Sequence, residues 1–365
     1  MLTNQRFADG HTQEWLNMLR QTGDAPADSL TALLFEDAPR IALSALHRWA
    51  AESHTSIPPM LYPEHPFWLD YRQMPDWANE KMLHKGRLFF RQHTEDIMLL
   101  LGFLSLPYCY AAADGAKVLY RSQRMIADTR RRLAETAQFV FAVHRDDAFD
   151  IARPHMPPTL RLIATVRLMH ATMRYHIRQS GKWDYAVLGV PVNQEDMAGT
   201  NLAFSFIIIQ GLRKIGYAVA HEQAAAFLHL WNVVGYFLGL QEQLLPVDEK
   251  TAAQLDRTIA QRQFKASHEG AALTRALINS IEQNVNTSPL IRIKGFVPAY
   301  MRFLLGDTLA DLLQIPAATV PQSLFRVYRL KNLWTALTGN QGADFQGILQ
   351  RIYGSLTYQL PERLP

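Results

Sequence analysis

Cysteine is the scarcest residue type in the 365-residue chain, represented by Cys109 alone. One cysteine excludes an intrachain disulfide, and it leaves Cys-based zinc and iron–sulfur centres without ligands. Such usage fits a reducing compartment. Charge of one sign is also lacking: the 37 Lys and Arg nearly balance the 33 Asp and Glu, for a formal net charge of +4. That excess is too small for a polyanion-binding surface, so no nucleic acid is expected as a partner. Long apolar runs are missing too. The most apolar stretch, residues 97–113, is interrupted by Pro107, Tyr108 and Tyr110, and it only just reaches spanning length. It is expected to be a buried helix ending at Leu106 and Pro107, with no transmembrane segment anywhere. The first six residues, Met1 to Arg6, have no apolar run behind them, so no signal peptide is expected and the location reads as cytoplasmic.

Familiar catalytic motifs are likewise absent. There is no His-Glu-x-x-His, no glycine loop closing on a lysine and no Gly-x-Ser-x-Gly. Hydrolase and nucleotide-binding chemistries are left without residues, and an enzyme built on this chain needs a cofactor for its reaction.

What is present is helical. Hydrophobic residues make up 48% and charged residues 19%, the balance of a globular protein. The apolar positions recur at helical spacing, and no alternating β pattern persists. Leu30, Leu33 and Leu34 fit a helix before Pro39, and Ile41, Ala45 and Leu46 fit one after it. Further helices are expected at 76–92, 93–106, 122–144, 158–179, 197–217, 220–240, 248–264, 268–283, 292–315 and 321–336. Asn193, Asp248 and Ser267 are natural N-caps, and residues 113–117 read as a turn. Residues 53–66 carry Pro58, Pro59, Pro63 and Pro66 and read as an ordered loop, whose aromatics Tyr62, Phe67, Trp68 and Tyr71 should pack against the body. No repeat, low-complexity tract or composition shift divides the chain. The expectation is one compact, all-α, many-helix domain over 1–365, with an N-terminal helical extension and proline-rich loop (1–70), a core (75–320) and a C-terminal helical tail (321–365).

The helix around His170 carries the strongest chemical signal. At about 100° per residue, Ile163, Val166, His170, Met173 and Ile177 share one stripe. Arg167 and Arg174 lie about one turn to either side of the imidazole along its edge. A lone histidine on an apolar face is commonly a core residue, and flanking arginines commonly reach solvent. The same arrangement also suits a porphyrin, whose iron takes a neutral imidazole and whose propionates take cations. His170 and His176 lie on different faces and cannot share a metal. His144 with Asp146 and Asp147 falls at a helix end and reads as a solvated cap.

A second helix, residues 130–143, places Arg132, Glu135 and Thr136 together. This is either a surface face with an i,i+3 ion pair or, in a pocket, a cation, a carboxylate and a hydroxyl suited to handling dioxygen. Glu195 and Asp196 sit in a first helical turn, where they suit the helix dipole and read as structural. Gly235 and Gly239, four apart, permit close approach of a neighbouring helix or a flat ligand.

Several segments, in order, resemble the latex-clearing-protein and MpaB-type oxygenases. They include residues 85–90, 105–108 and 132–136, then the Arg-x-x-His-x-x-x-Arg element at 167–174 and the Asn-Gln-Glu-Asp element at 193–196. Matches at 231–239, 303–306 and 313–316 follow, so that the resemblance runs from about 75 to 320. It implies an all-helical fold with a globin-like core and one haem b, with His170 as proximal iron ligand and Arg167 and Arg174 beside the cofactor. It further implies dioxygen-dependent cleavage of olefinic bonds in a lipophilic, isoprenoid-like substrate, with Arg132, Glu135 and Thr136 on the distal side. The chain departs from the rubber-cleaving branch where a lysine of that branch becomes Glu135, which is here expected to act as a distal base. The distal glutamate upstream in that branch has only Asp114 near it here. An intracellular location also argues against a polymer such as rubber. The other readings are a non-catalytic haem protein (gas sensor, haem carrier or redox partner) and a helical interaction module without cofactor.

Overall fold

Several helices begin where a side chain takes up a free backbone N–H group. Asn193 accepts from Asp196 N at 2.9 Å, Asp248 from Thr251 N at 2.8 Å and Ser267 from Gly270 N at 3.0 Å, so the three expected N-caps are in place. The computed structural model describes residues 13–37, 44–46, 48–50, 56–121, 128–284 and 295–317. The helices are α1 (Gln13–Arg20), α2 (Ala25–Asp37), α3 (Glu80–Gln92), α4 (Thr94–Leu100), α5 (Leu106–Tyr110), α6 (Ala113–Arg121), α7 (Thr129–Val143) and α8 (Pro158–Ser180). They continue as α9 (Tyr185–Leu188), α10 (Gln194–Phe204), α11 (Phe206–Lys214), α12 (His221–Phe237), α13 (Glu249–Gln263), α14 (His268–Asn284), α15 (Phe296–Leu305) and α16 (Asp307–Leu312). Among the described residues there is no strand, only an isolated antiparallel bridge between Ala112 and Phe264. The protein is all-α.

Four details differ from the sequence expectation. The helix over 93–106 does not stop at Pro107. It widens into a π-helical segment, Leu101–Ser105, and continues as α5. Pro107 sits in the first turn of α5, where its missing N–H has no helical partner to lose. Residues 113–117 are the start of α6, not a turn. The helices expected at 197–217 and 292–315 are each broken, at Ser205 (φ −115°, ψ −81°) and at Gly306 (φ 85°). His144 is no solvated cap: it is 2% exposed and stacks on Phe90 at 3.8 Å. The helix expected at 321–336 lies outside the described residues.

The proline-rich stretch is ordered by two short 3-10 turns, Pro59–Leu61 and Pro66–Tyr71. Phe67 and Trp68 are fully buried, and Tyr71 donates its hydroxyl to Phe237 O at 2.7 Å. The expected packing of these aromatics is therefore seen. Around them, α12 is largely apolar and buried beyond its polar first turn. It packs closely on α3 because Gly86 has no side chain. A Cβ there would lie 2.7 Å from Ala226 O and 3.1 Å from Leu230 Cβ.

That contact sets the sign of one substitution. Gly86→Ala gains about 1 kcal/mol of helix propensity, but a backbone carbonyl cannot swing aside. The variant should be less stable by about 1–3 kcal/mol in chemical denaturation; a more stable variant would show that the helices are not held this closely.

Candidate active site

Helices α5, α6, α7, α8, α10, α12 and α13 line a cavity of about 340 Å³, in the lower part of the roughly 300–1,000 Å³ range of small-molecule pockets. From α8, Val166, Met169, His170 and Met173 line it, while Ile163 and Ile177 at the ends of the stripe are buried in protein. Leu133 and Phe139 from α7, Phe204 from α10 and Trp231 from α12 extend the apolar wall.

His170 is set for a neutral ring. Its Nδ1 is sealed in protein without a hydrogen-bond partner, which leaves Nε2 as the nitrogen able to meet the cavity. Burial holds the imidazole pKa down at about 4, helped by the charges of Arg174 and Arg132 and opposed by Asp24. A neutral imidazole with a free lone pair is a metal ligand. Cys109 lines the same cavity, but burial pushes its thiol up to about 12. It therefore stays a thiol and competes poorly as a ligand. Among the described residues no three of His, Cys, Asp and Glu converge. A bare ion finds no ligand set there, whereas an iron carried in a macrocycle brings most of its own.

Arg132, Glu135 and Thr136 all line the cavity. The i,i+3 pair exists, with Arg132 Nη1 donating to Glu135 Oε2 at 2.9 Å, but it is not a surface pair, since Glu135 is 3% exposed. The other carboxylate oxygen accepts from Arg131 Nε at 3.1 Å. Both Glu135 oxygens are thus engaged by guanidinium groups, an arrangement that suits orienting Arg132 better than removing protons. Thr136 donates its hydroxyl to Arg132 O at 2.9 Å, so only its lone pairs are free to face a ligand.

Arg167 and Arg174, expected beside the cofactor, do not line the cavity. Arg167 donates through Nε and Nη2 to Asp24 at 2.6 and 2.9 Å, and through Nη1 to Asp70 at 2.7 Å. Arg174 donates to Asp28 at 2.6 Å and to Val192 O at 3.1 Å. Adjacent turns of a helix edge can face away from the ligand that the stripe faces, and here that edge meets the N-terminal segment. Arg132 is the cation of the cavity wall.

Residues 90–336 match the family model described as ER-bound oxygenase mpaB/B'/Rubber oxygenase, catalytic domain. The chain belongs to this oxygenase family. It is 25% identical over 306 residues to the rubber oxygenase of Streptomyces sp. (strain K30), an alignment covering 82% of this chain and 72% of that protein. It shares its fold with the solved structure of latex clearing protein LCP in the closed state, with a TM-score of 0.75 at 21% identity, over 92% of this chain and 89% of the other. The protein is an oxygenase, as the ordered motifs imply.

In this oxygenase the Asn-Gln-Glu-Asp element holds the site together rather than reacting. Gln194 donates to Gly23 O at 3.0 Å and Gly239 O at 2.9 Å. Glu195, fully buried, accepts from Arg262 Nε at 2.7 Å, Gln263 Nε2 at 3.1 Å and Arg20 Nη1 at 3.4 Å. The structural reading of Glu195 stands. Asp196 adds a cavity-facing role: it lines the wall while accepting from Arg20 at 3.2 Å, and burial raises its pKa to about 6. The sequence reading missed the α13 wall. There Asp256, Ile259, Ala260 and Gln263 line the cavity, and Tyr108 donates to Asp256 at 2.7 Å. Their i, i+3, i+4, i+7 spacing marks one face of a helix, but spacing alone does not say that the face meets a cavity.

Neutral buried histidines make stability depend on pH. His144, fully inside the core, protonates only near pH 3 in the fold, and His170 near 4, against about 6.5 when unfolded. The unfolded chain binds these protons first, so stability is complete above pH 6.5 and falls as pH drops, by up to about 1.4 kcal/mol per unit for His144. Urea midpoints at pH 7 and pH 5 should show this loss, and the cofactor-free His170→Leu protein should lose less. A loss between pH 7 and pH 5 that is the same in wild type and in His170→Leu would contradict the His170 assignment.

Proposed function

We propose that this oxygenase binds haem b through His170 and uses dioxygen to oxidise a lipophilic, unsaturated, isoprenoid-like small molecule. The observation that carries the proposal is the single neutral imidazole on the wall of an apolar cavity, its Nδ1 turned into protein and its Nε2 left for a ligand. The family resemblance supplies the identity of the cofactor, and the donor set fits it: one imidazole for iron, apolar side chains for the macrocycle, and one guanidinium for a carboxylate or a bound oxygen ligand.

Haem, when bound, supplies the redox chemistry by which dioxygen is added to an olefin. The chain's own residues do the rest. His170 would hold the iron. Arg132 spends one N–H on Glu135, and among the described residues its guanidinium makes no other hydrogen bond, so its remaining donors are available to a polar ligand. Glu135, anchored also by Arg131, keeps Arg132 in place and offsets its charge. Leu133, Phe139, Met169 and Phe204 exclude water and fit a hydrocarbon chain. Among the described residues no helix is long and apolar enough to cross a membrane, so a lipophilic substrate has to reach this cavity through the protein surface.

Purified haem-loaded protein should show a Soret band that disappears or shifts in His170→Ala. It should also consume oxygen with unsaturated isoprenoids such as farnesol or squalene and form carbonyl products. Haem binding without oxygen consumption across such a panel would favour the non-catalytic reading, and a colourless protein after expression with haem precursor would remove both.

Glu135→Gln breaks the charge pairing of Arg132 while keeping the shape. It should lower kcat by about 10–100-fold with little change in the Soret position. Unchanged turnover would remove Glu135 and the orientation of Arg132 from the reaction.

A further inference from the structure

The two most specific motifs of the chain converge on one short stretch, residues 20–28, which lies outside the matched family model. From α8, Arg167 reaches Asp24 and Arg174 reaches Asp28. From the start of α10, Glu195 and Asp196 reach Arg20, Gln194 reaches Gly23 O, and Gln194 N donates to Thr22 O at 3.0 Å. The Arg167–Asp24 pair is bidentate, with both side chains 3% exposed. It is wedged against the end of α12, where Gly239 (φ +87°) has no side chain to give: a Cβ there would overlap Asp24 Oδ2 and lie 2.6 Å from Arg167 Nε.

These pairs flank His170 by one turn on each side. Two arginines buried beside an iron ligand would carry uncompensated positive charge into the core if their carboxylates were absent. Ligand-bearing side chains are oriented by such outer contacts, which tune what the ligand holds.

We propose that Asp24 and Asp28 are positioning residues for His170, and that residues 20–28 form an electrostatic brace without which the family's catalytic core is incomplete. The brace fixes the rotation of α8 that turns His170 to the cavity and Arg167 and Arg174 to the N-terminal segment, and it sets the charge around the iron. This inference rests on His170 being the haem ligand.

The decisive variants are Asp28→Asn, Arg174→Gln and their combination, because the Asp28 side chain is 38% exposed and its loss should leave the fold intact. Removing the carboxylate leaves Arg174 positive beside the site, which favours ferrous iron and raises the haem midpoint potential. Removing the guanidinium lowers it, and the double variant returns towards wild type. In parallel, Asp24→Asn should speed haem transfer to apomyoglobin by about tenfold or more. Potentials unmoved in both single variants, with only the thermal midpoint reduced, would overturn the proposal by showing the pairs to be structural alone. A wild-type chain with no Soret band is a different result, which defeats the haem reading first and this inference with it.

Discussion

A helix with buried arginines cannot be packed until its charges are met. α8 carries Arg161, Arg167 and Arg174, all nearly sealed from water, between apolar side chains and beside His170. Each of these guanidinium groups has a specific answer from elsewhere in the chain: Arg161 donates to Trp49 O at 3.0 Å, Arg167 to Asp24 and Asp70, and Arg174 to Asp28 and Val192 O. The cost of leaving any of them unpaired is several kcal/mol. This pairing ties α2, the turn before it and the aromatic 3-10 turn to α8. Phe67 under the Arg167 guanidinium at 5.1 Å and Tyr71 on the end of α12 follow from the same docking.

With one edge of α8 committed to ion pairs, its apolar stripe is turned to the cavity. The walls there are low in polarity, and that has chemical consequences. His170 is held neutral and Cys109 protonated, because burial disfavours their charged forms. Arg132 is held in place by its ion pair with Glu135. An apolar chamber with one imidazole and one tethered guanidinium is consistent with family membership among oxygenases.

Much of this was legible along the chain. Helix-forming periodicity, the caps at Asn193, Asp248 and Ser267, and the absence of strands all follow from local rules that act within a turn or two. So does the stripe that carries His170. The break at Ser205 and the π-helical widening before Pro107 were not legible; they adjoin a contact between distant helices, where Ser105 donates to Ala203 O at 2.7 Å. The break at Gly306 is local, a glycine at φ 85° with open space around it. For the site, spacing identified Arg132, Glu135 and Thr136 as a unit but could not tell a surface face from a cavity wall. It could not show the carboxylate partners of Arg167 and Arg174, which lie 97 to 146 positions away in sequence.

The amino-acid sequence by itself determined the helical class, the family and the imidazole on an apolar stripe, since these rest on short-range periodicity and on ordered motifs. Only the tertiary structure decided which way each edge of that stripe faces. Rotating α8 by a fraction of a turn would exchange the roles of its arginines and its histidine, and no local preference opposes that rotation. Asp24, Asp28 and Asp70 do, through ion pairs that exist only once the N-terminal segment has folded across the core.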